Sequence, residues 1–331
     1  MSGLPPYAGK LETTWYYGFR IFCGLIFFFL VAPILVILPL SFNSLPYFTY
    51  PMEGFSLRWY YDFFNMCSTD LIVADFTAQF ESGAISDNPC PKTTTNRWMH
   101  SLNNSIIVAI FSSLIACILG TLAALGLSRG NFRGKSFVQA ILISPMIVPL
   151  VITAVGLFFF YSSIDPGLRN FLGATGINSA TQFLFGGDIG LTNNLIGLII
   201  AHATLGVPFV VITVTATLVS FDNSLVRASL SLGANQVRTF FLVTMPLVLP
   251  GIISGGLFAF ITSFDEVILV LFLAGPEDRT LPRQMFSGIR EQLSPTIAAA
   301  ATLLVILAIA LMATLELLRR RNERLRGMSP G

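Results

Sequence analysis

The sequence contains unusually few charged residues. Lys, Arg, Asp and Glu together make up 11% of the 331 residues, whereas hydrophobic residues make up 54%. Soluble globular domains carry roughly 25% charged residues, so polar side chains this scarce could not cover a water-soluble surface of this size. The composition therefore excludes a soluble protein and predicts an integral membrane protein. The length of the apolar runs predicts membrane-spanning helices rather than a barrel.

The residues that bind metals or form common catalytic motifs are also scarce. The chain has two histidines and four cysteines, with no Cys-x-x-Cys or Cys/His cluster. The HExxH and GxSxG motifs are absent too, which weighs against a membrane-embedded enzyme. We expect no metal site, and we interpret the isolated His202 as a packing residue rather than a ligand.

A nucleotide site is not expected in this chain. Residues 130–136, GNFRGKS, look like a phosphate-binding P-loop, but three residues separate Gly130 from Gly134 where that motif needs four. An apolar span, and not a core strand, comes before the segment. We interpret it as a short basic loop.

Six apolar segments are long enough to cross a bilayer. The predicted spans are residues 19–42, 102–127, 137–161, 194–219, 247–273 and 296–318. Pro145 and Pro149 predict a kink in the third span. The predicted organisation is an N-terminal segment 1–18, a membrane domain 19–318 with polar loops 43–100 and 220–246, and a basic tail 319–331.

The distribution of basic residues predicts the orientation. Twelve Lys and Arg residues lie in the segments on the same side as the two termini, and seven lie on the other side. The positive-inside rule then places both termini and the loop 220–246 in the cytoplasm. The basic tail could also contact anionic lipid, although orientation alone explains its charge.

The loop after the fourth span shows a helix–glycine–helix pattern. Asp222, Asn223 and Ser224 can each supply an oxygen to an open helix N-terminus. Gly233 suits the left-handed residue that ends a helix, and Asn235 can cap the next one.

The first of these two helices has an apolar face. Leu225, Ala228 and Leu232 follow one another at spacings of three and four residues. Met245-Pro246, with Pro250 further on, predicts a bend into the bilayer. A loop that only joined two spans would need no amphipathic helix, so the pattern favours contact with a soluble partner.

The same loop carries a spaced pattern, Arg227-Ala228-Ser229, Gly233-Ala234, Phe240, Met245-Pro246 and Pro250. It resembles the cytoplasmic loop of binding-protein-dependent ABC importer permeases. Two positions depart from that family, because Arg227 stands where the family has Glu and Ser229 stands where it has a second Ala.

The downstream stretch 258–304 resembles the polyamine (spermidine/putrescine) type of these permeases more closely still. The likeness covers nearly the whole chain, apart from the first dozen residues and an insertion around 67–90.

The resemblance implies an all-α, six-helix membrane fold of the type I ABC importer permeases, with both termini inside. It implies a second permease subunit, more often a different chain than an identical one. It also implies two ATPase subunits that bind ATP and Mg²⁺, and an external substrate-binding protein. No cofactor is expected in this chain and no nucleic acid among its partners. The implied ATPase-coupling residues are Arg227, Ala228, Leu232, Gly233, Ala234, Phe240 and Pro246.

Asp265 and Glu266 form the one acidic pair deep inside an apolar span. An ionised carboxylate there costs roughly 2.5–3.5 kcal/mol even on the lenient insertion scale. One interpretation is a pathway site that senses a cationic substrate, which the polyamine resemblance supports. The other is structural: the carboxylates cap a broken helix or pair with a basic group of the second permease.

Two further alternatives concern the outer loop and the class of transporter. Cys67 and Cys90 both lie in the outward loop, where an oxidising environment would favour a disulfide between them; two unrelated thiols are the alternative.

An ion-coupled secondary transporter or channel could also use intramembrane carboxylates. Such proteins commonly contain inverted repeats, and no convincing repeat is visible here.

Overall fold

The computed structural model describes residues 9–45, 47–52, 54–64, 97–130, 132–174, 190–219, 221–291 and 294–325. These residues are almost entirely helical, and their one β-bridge joins Asn43 to Phe55. The helices in chain order are α1 Lys10–Leu40, α2 Arg58–Phe64, α3 Arg97–Arg129, α4 Lys135–Ile147, α5 Leu150–Ala174, α6 Leu195–Val219, α7 Ser224–Ser231, α8 Gln236–Thr239, a π-helical turn Phe240–Thr244, α9 Met245–Asp265, α10 Ile268–Leu273, α11 Leu281–Glu291 and α12 Thr296–Leu325.

Six helices in the described part of the chain are long and apolar enough to cross a membrane, as the sequence predicts. They are Lys10–Leu40, Arg97–Ser128, Leu150–Phe171, Leu195–Val219, Gln236–Asp265 and Thr296–Thr314. The prediction of a six-span all-α membrane protein is therefore confirmed.

The third predicted span, 137–161, is wrong in its limits. The segment is not one kinked helix, because α4 ends at Ile147 and Val148 is extended with ψ 136°. A residue that precedes a proline is disfavoured in the helical region, and Pro149 follows directly. The membrane-length helix begins after this break, at Leu150.

The fifth predicted span, 247–273, is wrong at both ends. The helix starts earlier, at Gln236, and ends at Asp265. Pro246 causes no break, since a π-helical turn precedes it, in which the Met245 N–H donates to the Phe240 carbonyl. This wider turn gives room to a proline ring that would clash with a carbonyl in a regular helix.

The chain divides into two compact units, Met1–Thr93 with Glu291–Val305 and Thr94–Arg290 with Ile306–Gly331. In the first unit no residue of α1 is buried, and its exposed surface is mostly apolar, as lipid contact requires. Trp59 of α2 is buried, and its indole N–H donates to the carbonyl of Asn43 at 2.6 Å.

The core of the second unit is the close contact of α6 with α3 and α9. In α6, 61% of the span is buried, against 33% or less in the other spans. A Cβ added to Gly255 would lie 2.7 Å from the Val210 Cα, and one added to Gly251 would lie 3.0 Å from the Thr213 carbonyl. The α6 and α9 backbones thus come into contact at Gly251 and Gly255, whose spacing matches the GxxxG motif of closely packed membrane helices.

The loops at one end of this unit are joined by hydrogen bonds. The side-chain amide of Asn104, near the start of α3, donates to the carbonyls of Glu277 and Arg279, both at 3.1 Å. The N–H of Asn193, just before α6, donates to the Leu273 carbonyl at 3.0 Å. Because α3 and α6 both begin here, the segment that follows α6 lies at the opposite end.

Candidate functional site

The segment 221–245, here called the coupling module, is built around a glycine turn. Gly233 has φ +86°, the left-handed conformation that its sequence position predicts. The Ala234 N–H donates to the Ser229 carbonyl at 3.2 Å, and the Gly233 N–H donates to the Leu230 carbonyl at 3.0 Å. This pair of bonds is the Schellman motif, which satisfies the last carbonyls of α7.

Two side-chain contacts then fix the second helix of the module. Asn235 caps α8 as predicted, because its Oδ1 accepts from the Arg238 N–H at 2.8 Å. The hydroxyls of Ser229 and Thr239 lie 3.0 Å apart across the turn, and Thr239 is buried. The module is therefore held together by its own contacts before any partner binds.

The start of α7 is capped by one of the three residues expected to do so. Asp222 accepts hydrogen bonds from the backbone N–H of Ser224 at 2.8 Å and from its hydroxyl at 2.6 Å. Asn223, at the N-cap position itself, makes no capping bond with its side chain. The hydroxyl and N–H of Ser224, together with the charge of Arg227, lower the pKa of Asp222 below its usual value.

The outer surface of the module exposes several apolar side chains and two cations. Leu232, at the turn, is 88% exposed. Leu225 and Ala228 are exposed as well, so the predicted apolar face points away from the rest of the unit. Arg227 and Arg238 are also exposed, and neither makes an ion pair within the described residues.

The other predicted coupling residues are half-buried or lie closer to α9 in the chain. Ala234 and Phe240 are half-buried, and Phe240 begins the π-helical turn. Pro246 is exposed at the start of α9. The structure therefore places these residues in one continuous segment, with Leu232 and Gly233 at its apex.

Asp265 and Glu266 lie at a break in the helix. Asp265 is the last residue of α9, and Glu266 is extended with ψ 125°. One Glu266 carboxylate oxygen accepts from the N–H of Ile268 and, at 3.0 Å, from that of Leu269. Glu266 thus caps the N-terminus of α10 with its side chain, from the position before the N-cap residue Val267, which is the structural alternative that the sequence left open for one of the two carboxylates.

The Asp265 side chain behaves differently from its neighbour. It is exposed at the surface of this chain. Among the described residues it makes neither a hydrogen bond nor an ion pair. The pair therefore divides into a capping carboxylate and an available one.

Three buried polar side chains are joined by hydrogen bonds next to this break, at Ser263, and no sequence motif marks them. His202 is 1% exposed, and its Nδ1 lies 2.8 Å from the Ser263 hydroxyl. The Ser112 hydroxyl lies 3.0 Å from that of Ser263. Serines inside apolar spans are common, so only the helix contacts reveal this connection.

The opposite end of the unit contains a polar cavity of about 230 Å³. Its walls are formed by Arg97, His100, Ser101, Pro276, Glu277, Arg279 and Gln284. Burial raises the pKa of the neighbouring Asp278 and lowers that of Arg283. The Arg283 guanidinium donates to the carbonyls of Ala274 and Gly275 at 2.9 and 3.1 Å, which holds the loop in place.

The remaining predictions concern the four cysteines and metal binding. Cys67 and Cys90 lie outside the described residues, so their disulfide stays a prediction, which non-reducing mass mapping would check. Cys23 and Cys117 are free thiols. No group of three His, Cys, Asp or Glu residues that could hold a metal occurs in the described ranges.

Comparison with known proteins places these features in a family. The family model described as "Binding-protein-dependent transport system inner membrane component" matches residues 116–326. The spermidine/putrescine transport system permease protein PotC of Haemophilus influenzae is 27% identical over 302 residues, which are 91% of this chain and 96% of that protein. The putrescine transport system permease protein PotI of Escherichia coli K12 is 29% identical over 280 residues, 84% of this chain and 82% of that protein.

Solved structures show the same fold. A bacterial ABC transporter involved in the import of the acidic polysaccharide alginate matches with a TM-score of 0.62, over 94% of this chain and 97% of that chain. The sequence identity there is 15%, so this likeness describes the fold alone.

Proposed function

Because the chain belongs to the family of binding-protein-dependent transport system inner membrane components, we propose that it imports polyamines such as spermidine and putrescine. It is a multi-pass permease subunit of the inner membrane, and ATP hydrolysis belongs to a separate subunit. The names of the two relatives, at 27% and 29% identity over most of the chain, support a polyamine as substrate.

The observation that carries the substrate class is the available carboxylate of Asp265. The C-terminus of a helix is the negative end of its dipole, and α9 ends at Asp265 within the apolar region. Glu266 neutralises the positive end of the next helix, α10, by capping it. The break therefore attracts cations, since half-helix ends inside membranes commonly bind charged solutes.

The same helical column links this carboxylate to the coupling module. Gln236–Asp265 is continuous over 30 residues, which corresponds to about 45 Å at 1.5 Å per residue. A displacement of α8 by a cytoplasmic ATPase would thus move Asp265 without passing through a flexible joint. Such a connection suits alternating access, in which ATP-driven movement opens and closes the route around the carboxylate.

The exposed surfaces support the proposed partners. Two ATPases, which bind ATP and Mg²⁺, dock on the exposed apolar apex of the coupling module at Leu232. An external binding protein docks at the opposite end, where the 230 Å³ polar cavity opens. A second permease subunit, which we propose is a different chain, forms the other wall of the route, because Asp265 is exposed on this chain.

Purification of the tagged chain in mild detergent tests the class and the substrate together. We expect an ATPase and a second permease to co-purify, and we expect a spermidine- or putrescine-loaded binding protein to stimulate ATP hydrolysis. Recovery of the chain without an ATPase would contradict the proposal that it is a subunit of an ATP-driven importer.

Uptake by Asp265→Asn tests the carboxylate. Loss of the charge should reduce polyamine uptake about tenfold or more, because a misplaced or missing contact in a transport or reaction site has effects of that size. Asp265→Glu, which keeps the charge, is the matched control. Wild-type uptake by Asp265→Asn in a fully assembled complex would show that the carboxylate is not part of the route.

A further inference from the structure

We propose that His202 is a positioning residue for Asp265, which it holds in place through Ser263. This inference rests on the proposed function, because it assigns a role within the same carboxylate site. His202 does not contact the substrate in this arrangement. It fixes the last turn of α9, which carries the carboxylate.

The geometry joins three helices at one point. His202 of α6 contacts Ser263 of α9 at 2.8 Å, and Ser263 contacts Ser112 of α3 at 3.0 Å. All three side chains are buried. Ser263 stands two residues before Asp265, so the contact is made within the final turn of the helix.

The hydrogen bonds run in one direction across the three helices. The Ser112 hydroxyl, which also lies 3.3 Å from the Ala109 carbonyl, donates to the Ser263 hydroxyl, and Ser263 in turn donates to the Nδ1 of His202. In the described part of the chain, the Nε2 of His202 is buried and has no hydrogen-bond partner. A buried polar atom without a partner costs about 1–3 kcal/mol, so the histidine lowers stability relative to an apolar residue of similar size.

That cost indicates a role other than stability. Elsewhere the α3–α6–α9 contact is made mostly by small and apolar residues, with backbones approaching at Gly251 and Gly255. The Cys117 thiol also bonds across it, to the Ile252 carbonyl at 3.9 Å, but Ile252 lies well before Asp265 in α9. The His202–Ser263 hydrogen bond fixes the orientation of α9 at the turn that carries the Asp265 carboxylate.

The last turn of α9 needs such an anchor. Helix ends fray, and α9 ends at a break where Glu266 and Val267 are non-helical. Glu266 caps the following helix and not α9. Since α6 is the most buried of the described spans, it is the most rigid element available to hold this turn.

The test measures uptake and ATP hydrolysis on the same assembled complex. His202→Leu should reduce polyamine transported per ATP about tenfold, since displacement of a contact group by 1 Å has effects of this order or larger. Yield of the complex and stimulated ATP hydrolysis should stay near wild type. His202→Asn keeps a polar atom near the Nδ1 position that can bond the Ser263 hydroxyl, and should restore most of the transport.

Ser263→Ala removes the same link from the other helix and should reproduce the His202→Leu result. Ser113→Ala is the matched control, because that hydroxyl bonds only the Ile110 carbonyl of its own helix and should leave transport unchanged. If both variants lowered the yield of complex but transported normally per complex, the contact would be merely structural and the proposal would be wrong.

A double variant separates this inference from the proposed function. His202→Leu combined with Asp265→Asn should transport no worse than Asp265→Asn alone, because residues that act through one another are not additive. Multiplied losses would overturn the positioning role. Wild-type transport by Asp265→Asn would overturn the carboxylate site itself. A defect in Asp265→Asn with normal transport by His202→Leu would overturn only the inference about His202.

Discussion

The coupling module and the break at Asp265 both interrupt helices, but they are held by different kinds of contact. In the module, Asn235 bonds a residue three positions away, and Ser229 bonds one ten positions away. At the break, His202 and Ser263 are 61 residues apart, and Ser112 and Ser263 are 151 apart. The first structure is specified by its own segment, whereas the second combines the local Glu266 cap with contacts that form only when three helices have packed.

This difference fits the tasks proposed for the two regions. A segment that must transmit force from a soluble partner benefits from being rigid on its own. A segment that must change its exposure during transport benefits from contacts that depend on how helices are packed. Substitutions in the two regions should therefore differ in the size of their effects.

The largest loss of stability is expected at Gly255, where the backbones of α6 and α9 are in contact. Gly255→Leu places a side chain against the Val210 backbone, where even a Cβ would lie 2.7 Å from the Cα. Overpacking typically costs about 1–3 kcal/mol, and backbone contact leaves little room to relax, so we expect loss of most folded complex. Gly126→Leu is the control, because a Cβ there meets nothing within 4 Å. Thermal unfolding and yield in detergent measure both.

The next effect concerns the cap at the break. Glu266→Ala leaves the N–H groups of Ile268 and Leu269 without their acceptor, and loss of an N-cap costs about 0.5–2 kcal/mol. We expect the upper end, because Glu266 is buried. Glu266→Gln still offers an oxygen and should unfold at a temperature close to wild type. Equal losses in both variants would mean that the charge, and not the cap, stabilises the break.

A smaller effect is expected at the surface of the module. Arg227 is exposed, so an ion pair with an ATPase carboxylate would contribute about 0.2–1 kcal/mol. Arg227→Glu should weaken ATPase retention several-fold at low salt and less at high salt, whereas Arg227→Lys should retain it. Tighter retention of Arg227→Glu would show instead that the ATPase presents a basic group there.

The glycine turn should affect stability without affecting the ATPase contact directly. Gly233→Ala forces a left-handed conformation on an alanine, which costs about 1–2 kcal/mol in a residue with a Cβ. We expect a smaller drop in unfolding temperature than for Gly255→Leu, because the Schellman bonds and the Asn235 cap remain. Gly233→Asn should behave more like wild type, since asparagine tolerates this conformation. A larger loss for Gly233→Ala than for Gly255→Leu would reverse the comparison of the two regions.

Much of the architecture was predictable because it depends on composition and short spacings. The scarcity of charge predicts a membrane protein, and the lengths of the apolar runs predict six spans. Gly233 and Asn235 predict the turn and the cap of the coupling module, because both act on backbone groups within a few residues. The GxxxG spacing of Gly251 and Gly255 is typical of a close helix contact, but it does not identify which helix makes that contact.

Only the tertiary structure decided the site around Asp265. The sequence offered two equal carboxylates in a continuous span, whereas folding separates a capping Glu266 from an available Asp265. The sequence also points to no hydrogen-bond partner for His202, because Ser112 and Ser263 are ordinary residues of apolar helices until α3, α6 and α9 pack together. Hydrogen bonds between residues far apart in the chain depend on which helix faces pack together, and no local pattern encodes that choice.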